Sequence, residues 1–264
     1  MAQNEPFFRR DHELYLPQAC ARGPWSPKSL HGKVVAGLLG HALEQAYGDP
    51  AFIPARLTVD MYKLPGLDPI EVKTKLVREG SRIRVAEAEF ISGGVGMARA
   101  SCQFLRITQA PAGEVWSPPN WVVPLPDEIA PPDPDSHPTA TMWEMRPING
   151  GFGQPGATVR RIWMSEVRET VEGIPLTPFQ RVAVACDFAS PLAHAASASL
   201  AYINSDVTLY LHRNPVGKWI GFEKGDHQAT LGVAVGECRL YDVQGPIGLV
   251  ACAGLGQHHT PLRP

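Results

Sequence analysis

Long hydrophobic runs are missing from this chain. No stretch approaches the roughly 18 apolar residues of a membrane-crossing helix, so no membrane span is expected. An excess of one charge sign is missing too. The 24 Lys and Arg stand against 26 Asp and Glu, for a net charge of −2, and a nucleic-acid partner would demand a basic face. Cysteine is sparse and unpatterned. Cys20, Cys102, Cys186, Cys238 and Cys252 are odd in number and never spaced Cys-x-x-Cys. They read as reduced core residues of a cytoplasmic protein, neither disulfides nor zinc ligands. The opening MAQNEPFFRRDHELYL lacks an apolar signal segment, which favours the same compartment. No Gly-x-Ser-x-Gly elbow occurs, which removes the usual serine-hydrolase signature.

What is present is an ample apolar fraction, 44% against 19% charged, and an internal repeat. Pro24-Trp25-Ser26-Pro27 opens one apolar segment, and Pro175-Leu176-Thr177-Pro178 opens another about 150 residues later. RLTVDMYKLP (56–65) is matched at the same offset by DVTLYLHRNP (206–215). Two copies imply two related modules with a pocket between them. The division falls at 1–110 for the first module and 144–264 for the second. Residues 111–143 form a linker crowded with proline and acid, which breaks strand pairing. Trp116 and Trp121 in it are expected to lie against the body.

Each module reads as a helix followed by antiparallel strands. In 31–48, Val34, Val35, Leu38, Leu39, Ala42, Leu43 and Ala46 recur at three- and four-residue spacing, with Ser29 as N-cap and Gly48 as stop. Strands are expected at 55–63, 69–79, 82–92 and 95–107, with Gly80 and Gly93-Gly94 at the turns. In the second module a leading strand falls at 157–167. Thr177 caps a helix that starts on Pro178 and is ended by Pro191. Strands near 206–213, 217–223, 229–242 and 246–255 follow. The expected architecture is α+β: two antiparallel sheets, each wrapped around a long apolar helix.

That layout resembles a hotdog fold built twice, a double hotdog. TPFQRVAVACDF (177–188), INSDVTLYLHRNPVGKW (203–219) and EMRPINGGFGQPG (144–156) resemble stretches of the acyl-CoA thioesterase II family, in its actinobacterial form. The likeness spans the chain and keeps its order. It implies hydrolysis of an acyl-CoA to a free acid and CoA, with no metal or redox cofactor. It also implies that Asp187 is the general base on water and that Asn204 stands where the family has a water-holding threonine. His31 and Gly32 would line the thioester site from the opposite module, and Gln180 would contact the pocket or hold its backbone.

The residues support part of this on their own. Asp187 is the only acid between Gly173 and Ser205, on an otherwise apolar helix. A carboxylate kept from water there accepts a proton more readily than a solvated one. Gly32 at a helix start allows a thioester oxygen to approach backbone N–H groups. The family's third residue, a glutamine on the last strand, has no match in GLVACAGL (248–255), and Gln257 lies two positions beyond. Counting back by the offset of the two proline motifs (Pro24 to Pro175) puts Ala36 opposite Asp187, so the symmetry-related pocket would lack a base. A hotdog dehydratase is disfavoured because the one Asp/His cluster, Asp133 to His137, lies in the linker. The rival reading is a non-catalytic acyl-CoA or lipid-binding protein. Pairing of a sheet edge with a second copy of the chain stays open.

Overall fold

In the computed structural model, residues 5–133, 143–149, 159–195 and 200–257 are described. The first half begins with a hairpin, β1 (Phe8–Asp11) and β2 (Leu14–Pro17), absent from the sequence expectation. Then come α1 (Gly32–Tyr47), β3 (Phe52–Met61), β4 (Ile70–Glu79), β5 (Ile83–Ser92) and β6 (Val95–Arg106). The second half holds β7 (Glu144–Asn149), β8 (Arg161–Ser165), α2 (Pro178–Ala185), α3 (Ala189–His194) and β9 (Tyr202–Asn204). It ends with β10 (Asp206–Leu211), β11 (Ile220–Thr230), β12 (Val233–Asp242) and β13 (Gly245–Gly256). No helix among the described residues is long and apolar enough to cross a membrane.

Two separate sheets were expected, and the structure has one. Its order is β1-β2-β4-β5-β6-β3-β10-β13-β12-β11-β8-β7, with β9 added on the end of β13. The halves fuse because β3 and β10 pair antiparallel. Thr58 stands opposite Thr208, its own counterpart in the repeat, and their hydroxyl oxygens are 3.3 Å apart. A local twofold axis therefore runs through this pair, and each half completes the other's sheet.

The helices fill the concave side, and they differ. All residues from Lys33 to Leu43 of α1 are buried. Its N-cap is His31 and not Ser29: Nδ1 of the ring accepts from the Lys33 N–H at 3.1 Å. The second helix is not one long rod. It stops at Ala185, tightens into a 3₁₀ turn over Cys186–Phe188, and resumes as α3. Pro191 does not end it, because the helix continues to His194. A proline clashes with the carbonyl four residues before it in a continuous α-helix, and for Pro191 that carbonyl belongs to Asp187. The break is thus centred on Asp187.

Two glycines set how closely the helices approach. A Cβ on Gly37 would lie 2.6 Å from a methyl of Val184, and one on Gly40 would lie 2.8 Å from Ala183 Cβ. Their cost to the helix is offset by the close seam between α1 and α2. A buried ion pair also ties the halves: Lys33 Nζ sits 2.8 Å from Glu166 Oε2 and 4.0 Å from the Trp143 ring. Removing either partner would strand a charge in the core.

The linker is anchored by one tryptophan of the two. Trp121 stacks on Tyr241 at 4.1 Å and leans on Trp163, whereas Trp116 is 83% exposed. All five cysteines are unpaired, and four are buried.

Candidate active site

The 3₁₀ turn after α2 delivers Asp187 to the first turn of α1. The carboxylate is 6% exposed. Its Oδ1 accepts a hydrogen bond from Asn204 Nδ2 at 3.1 Å. Asn204 ends β9, the short strand lying beside Gly254 of β13, and the same amide also reaches the Asp206 carbonyl at 3.4 Å. The Asp187 oxygens press on Gly32: a Cβ there would fall 2.6 Å from Oδ1 and 2.8 Å from Oδ2. Only glycine lets the carboxylate stand at the helix start. The first N–H groups of a helix have no intrahelical acceptor, and they carry its positive end. A carboxylate and the N–H end of a helix thus share one spot.

His31 lies beside the carboxylate. Its Nδ1 lies 3.4 Å from Asp187 Oδ2 and also caps Lys33 N–H at 3.1 Å. One nitrogen cannot accept from the amide and donate to the carboxylate at once. The cap is shorter and aligned, so Nδ1 holds its lone pair toward Lys33 and the ring shields Asp187 without bonding it.

A cavity of about 300 Å³ opens at this point. Asp187, Asn204, Ser205 and Gly32 give its polar wall, and Trp25, Leu30, Val35, Met61 and Ile203 part of its apolar wall. Tyr62, Lys63 and Leu64 stand exposed at the edge. The volume is at the lower end of ordinary ligand pockets. From β13 the lining receives Leu255 and no polar side chain. Gln257 points elsewhere, donating to the Leu255 carbonyl. Cys252 on the same strand is turned toward His194, 3.4 Å away. Burial, with Asp206 and Asp187 nearby, pushes its thiol up to about 12, so it is no thiolate nucleophile.

Of the expected residues, the structure brings Asp187, Asn204, His31 and Gly32 together. It does not bring Gln180 to them. Gln180 is fully buried on the first turn of α2, where Nε2 donates to Glu44 Oε2 at 2.8 Å. Thr177 Oγ1 donates to the same oxygen at 2.6 Å. A carboxylate therefore stands at the start of each helix, and the count that put Ala36 opposite Asp187 misled. The strands repeat at about 150 residues, but the helices start at Gly32 and Pro178, a shorter offset. Counted from those starts, His41 occupies the place of Asp187 and Glu44 reaches the α2 terminus. No three His, Cys, Asp or Glu side chains gather as a metal site among the described residues. Residues 150–156 of the quoted motif, and His137, lie outside the described residues.

The fold is that of the hotdog class. A hot dog fold protein from Alicyclobacillus acidocaldarius matches with a TM-score of 0.71 over 95% of this chain and 96% of its own, at 16% identity. The tesB protein of Mycobacterium avium subsp. paratuberculosis matches at 0.65, 13% identity and 93% of each chain. The acyl-CoA thioesterase II TesB2 of Mycobacterium marinum matches at 0.62 and 15% identity, covering 86% and 91%. None of the curated proteins matches the sequence. The N-terminal domain of acyl-CoA thioesterases matches residues 21–108, and their C-terminal domain matches residues 107–254. The chain belongs to the acyl-CoA thioesterase family.

Proposed function

We propose that this protein hydrolyses an acyl-CoA to the free acid and CoA, with Asp187 as the general base. The observation that carries the reading is the buried Asp187 carboxylate, held by Asn204 and set against Gly32 at the start of α1. The thioester oxygen would approach the Gly32 N–H at the start of α1, since the Lys33 and Val34 N–H groups are taken by His31, and there the positive helix end stabilises the charge that develops on it. Asp187 takes a proton from water as the water oxygen attacks the carbonyl carbon. The C–S bond then breaks, and the departing sulfur takes the proton from Asp187. Asn204 fixes Oδ1, leaving Oδ2 for the water, and its own carbonyl oxygen can accept a hydrogen bond from the other O–H of that water. The apolar wall from Trp25 to Ile203 receives the acyl group. The unpaired cysteines fit a cytoplasmic enzyme.

One observation favours the rival reading of a binding protein: β13 gives the cavity only Leu255. A single experiment separates the two. CoA release is followed across short, long, branched and aromatic acyl-CoAs for wild type and Asp187→Asn. Turnover that collapses in the variant supports the hydrolase. Binding of acyl-CoA with no turnover on any substrate would replace it with the binding protein.

A further inference from the structure

The repeat supplies an internal control for the cavity mouth. After β10 the chain runs His212-Arg213-Asn214-Pro215, and after β3 its counterpart runs Tyr62-Lys63-Leu64-Pro65. Both segments start alike, with His212 N–H on the Ile247 carbonyl and Tyr62 N–H on the Met97 carbonyl. Their cations then part ways. Arg213 makes a two-pronged pair with Asp242. Asp242 is 1% exposed and also accepts from the Val216 and Gln244 N–H groups. Burial works to raise the Asp242 carboxyl, but these bonds outweigh it and hold it below the usual carboxylate range. Arg213 is consumed in latching its own loop.

On the Asp187 side the latch is gone. The strand position of Asp242 (the end of β12) is matched at the end of β5 by Ser92, which cannot neutralise a cation. Lys63 stands where Arg213 stands, but it is exposed, lines the cavity edge and has no carboxylate partner among the described residues. Lys28, in the segment just before α1, is exposed, and its main-chain oxygen approaches Gly66 of the loop that carries Lys63. Asp68, also exposed and near Gly66, is the acid close by. Three other basic residues are committed. Arg161 pairs with Glu223, Arg9 with Glu172, and Arg160 donates to the Leu192 and Ala195 carbonyls.

We infer that Lys63, helped by Lys28, is the specificity-determining cation of this site and receives a phosphate of the thiol carrier, while the acyl group enters the cavity. The inference rests on the thioesterase reading for its kinetic test. The shared chemistry is a phosphorylated pantetheine thioester. Three substrates with one acyl group separate its parts: acyl-N-acetylcysteamine without phosphate, acyl-4′-phosphopantetheine with one, and acyl-CoA with the full set. Lys63→Ala should lower kcat/KM for acyl-CoA about tenfold relative to that for acyl-N-acetylcysteamine, mostly through KM. A fall shared by acyl-4′-phosphopantetheine assigns the contact to the pantetheine phosphate, and a fall confined to acyl-CoA assigns it to the nucleotide phosphates. Arg213→Ala should leave this ratio at the wild-type value while lowering Tm. An unchanged ratio in Lys63→Ala overturns the inference, as does an equal loss on all three substrates. Calorimetric binding of free CoA to wild type and Lys63→Glu judges Lys63 without any turnover. Weaker binding by the variant sustains the contact even if hydrolysis fails, and equal binding removes it.

Discussion

The two ends of the helix pair share a plan and differ in what they can do. At one end Asp187 faces the start of α1, and at the other Glu44 faces the start of α2. Glu44 has one oxygen held by both Thr177 and Gln180. Asp187 is held by the single Asn204 amide and borders a cavity. The first residue of α1 is glycine, with an N–H and no Cβ. The first residue of α2 is proline, which has no N–H to offer an oxyanion. Where Arg213 is locked to Asp242, Lys63 has no carboxylate partner among the described residues. At the Glu44 end the carboxylate is spent on capping α2, and at the Asp187 end the carboxylate faces the cavity. The fold is present twice, but the two carboxylates serve different surroundings.

The largest test of this contrast exchanges the two acids for their amides. Asp187→Asn should lower kcat on acyl-CoA by about 100- to 10,000-fold, the usual range for a lost general base. Glu44→Gln should keep kcat within a few-fold and lower Tm instead, since it weakens two hydrogen bonds to a carboxylate. Comparable kinetic losses in both would erase the distinction between the ends.

Gly32→Ala is the next largest. Its Cβ would displace the carboxylate from the α1 terminus, and kcat should fall by about 10- to 100-fold while CoA still binds. Steady-state kinetics with a crystal structure of the variant would show whether Asp187 has moved. Full activity would mean that Asp187 works from another position.

Asn204→Ala should cost about tenfold in kcat by freeing Asp187 Oδ1. Asn204→Thr, the residue that the resemblance implies at this place, should recover part of the loss. If both variants match wild type, the amide only ties β9 to the turn.

The smallest effect concerns a contact found in the second half alone. His194 and His227 meet Nδ1 to Nδ1 at 2.9 Å, so the two nitrogens share one proton. In the first half Leu76 pairs with Ala86 where His227 pairs with Gly236. Burial, then His227, lowers His194 to about 4. The folded state favours the neutral ring, so its contribution is complete above the unfolded value near 6.5 and is lost as pH falls toward 4. Melting curves should show a loss on the order of 1–2 kcal/mol over that window, flatter in His194→Asn. A wild-type curve no steeper than that of the variant would remove the pair from the acid response.

Much of this was legible in the residues. The 3.6-residue spacing of Val34, Val35, Leu38 and Leu39 marked α1, and the alternation and turn glycines marked β4 to β6. The lone acid on an apolar helix and the Gly32 that starts the other marked half of the site each. Several features were hidden. The β1–β2 hairpin and β9 are too short for periodicity to reveal. His31 displaced Ser29 as cap because an imidazole can accept as a hydroxyl does. Pro191 read as a helix end, yet its ring tightened the turn four residues earlier and aimed Asp187. Lys63 went unnoticed because a lone lysine in a loop carries no pattern.

The sequence by itself determined the repeat, the helix and strand periods, the Thr177 cap and the turn glycines, because each of these is set by neighbours along the chain. Only the tertiary structure decided that β3 and β10 make one sheet, that Gln180 serves Glu44 while Asn204 serves Asp187, and that Arg213 is bound to Asp242 while Lys63 has no carboxylate partner among the described residues. Those outcomes depend on groups from distant segments competing for the same partner. Which of them meet is fixed by the packing of α2 on α1 across Gly37 and Gly40, and no local spacing encodes it.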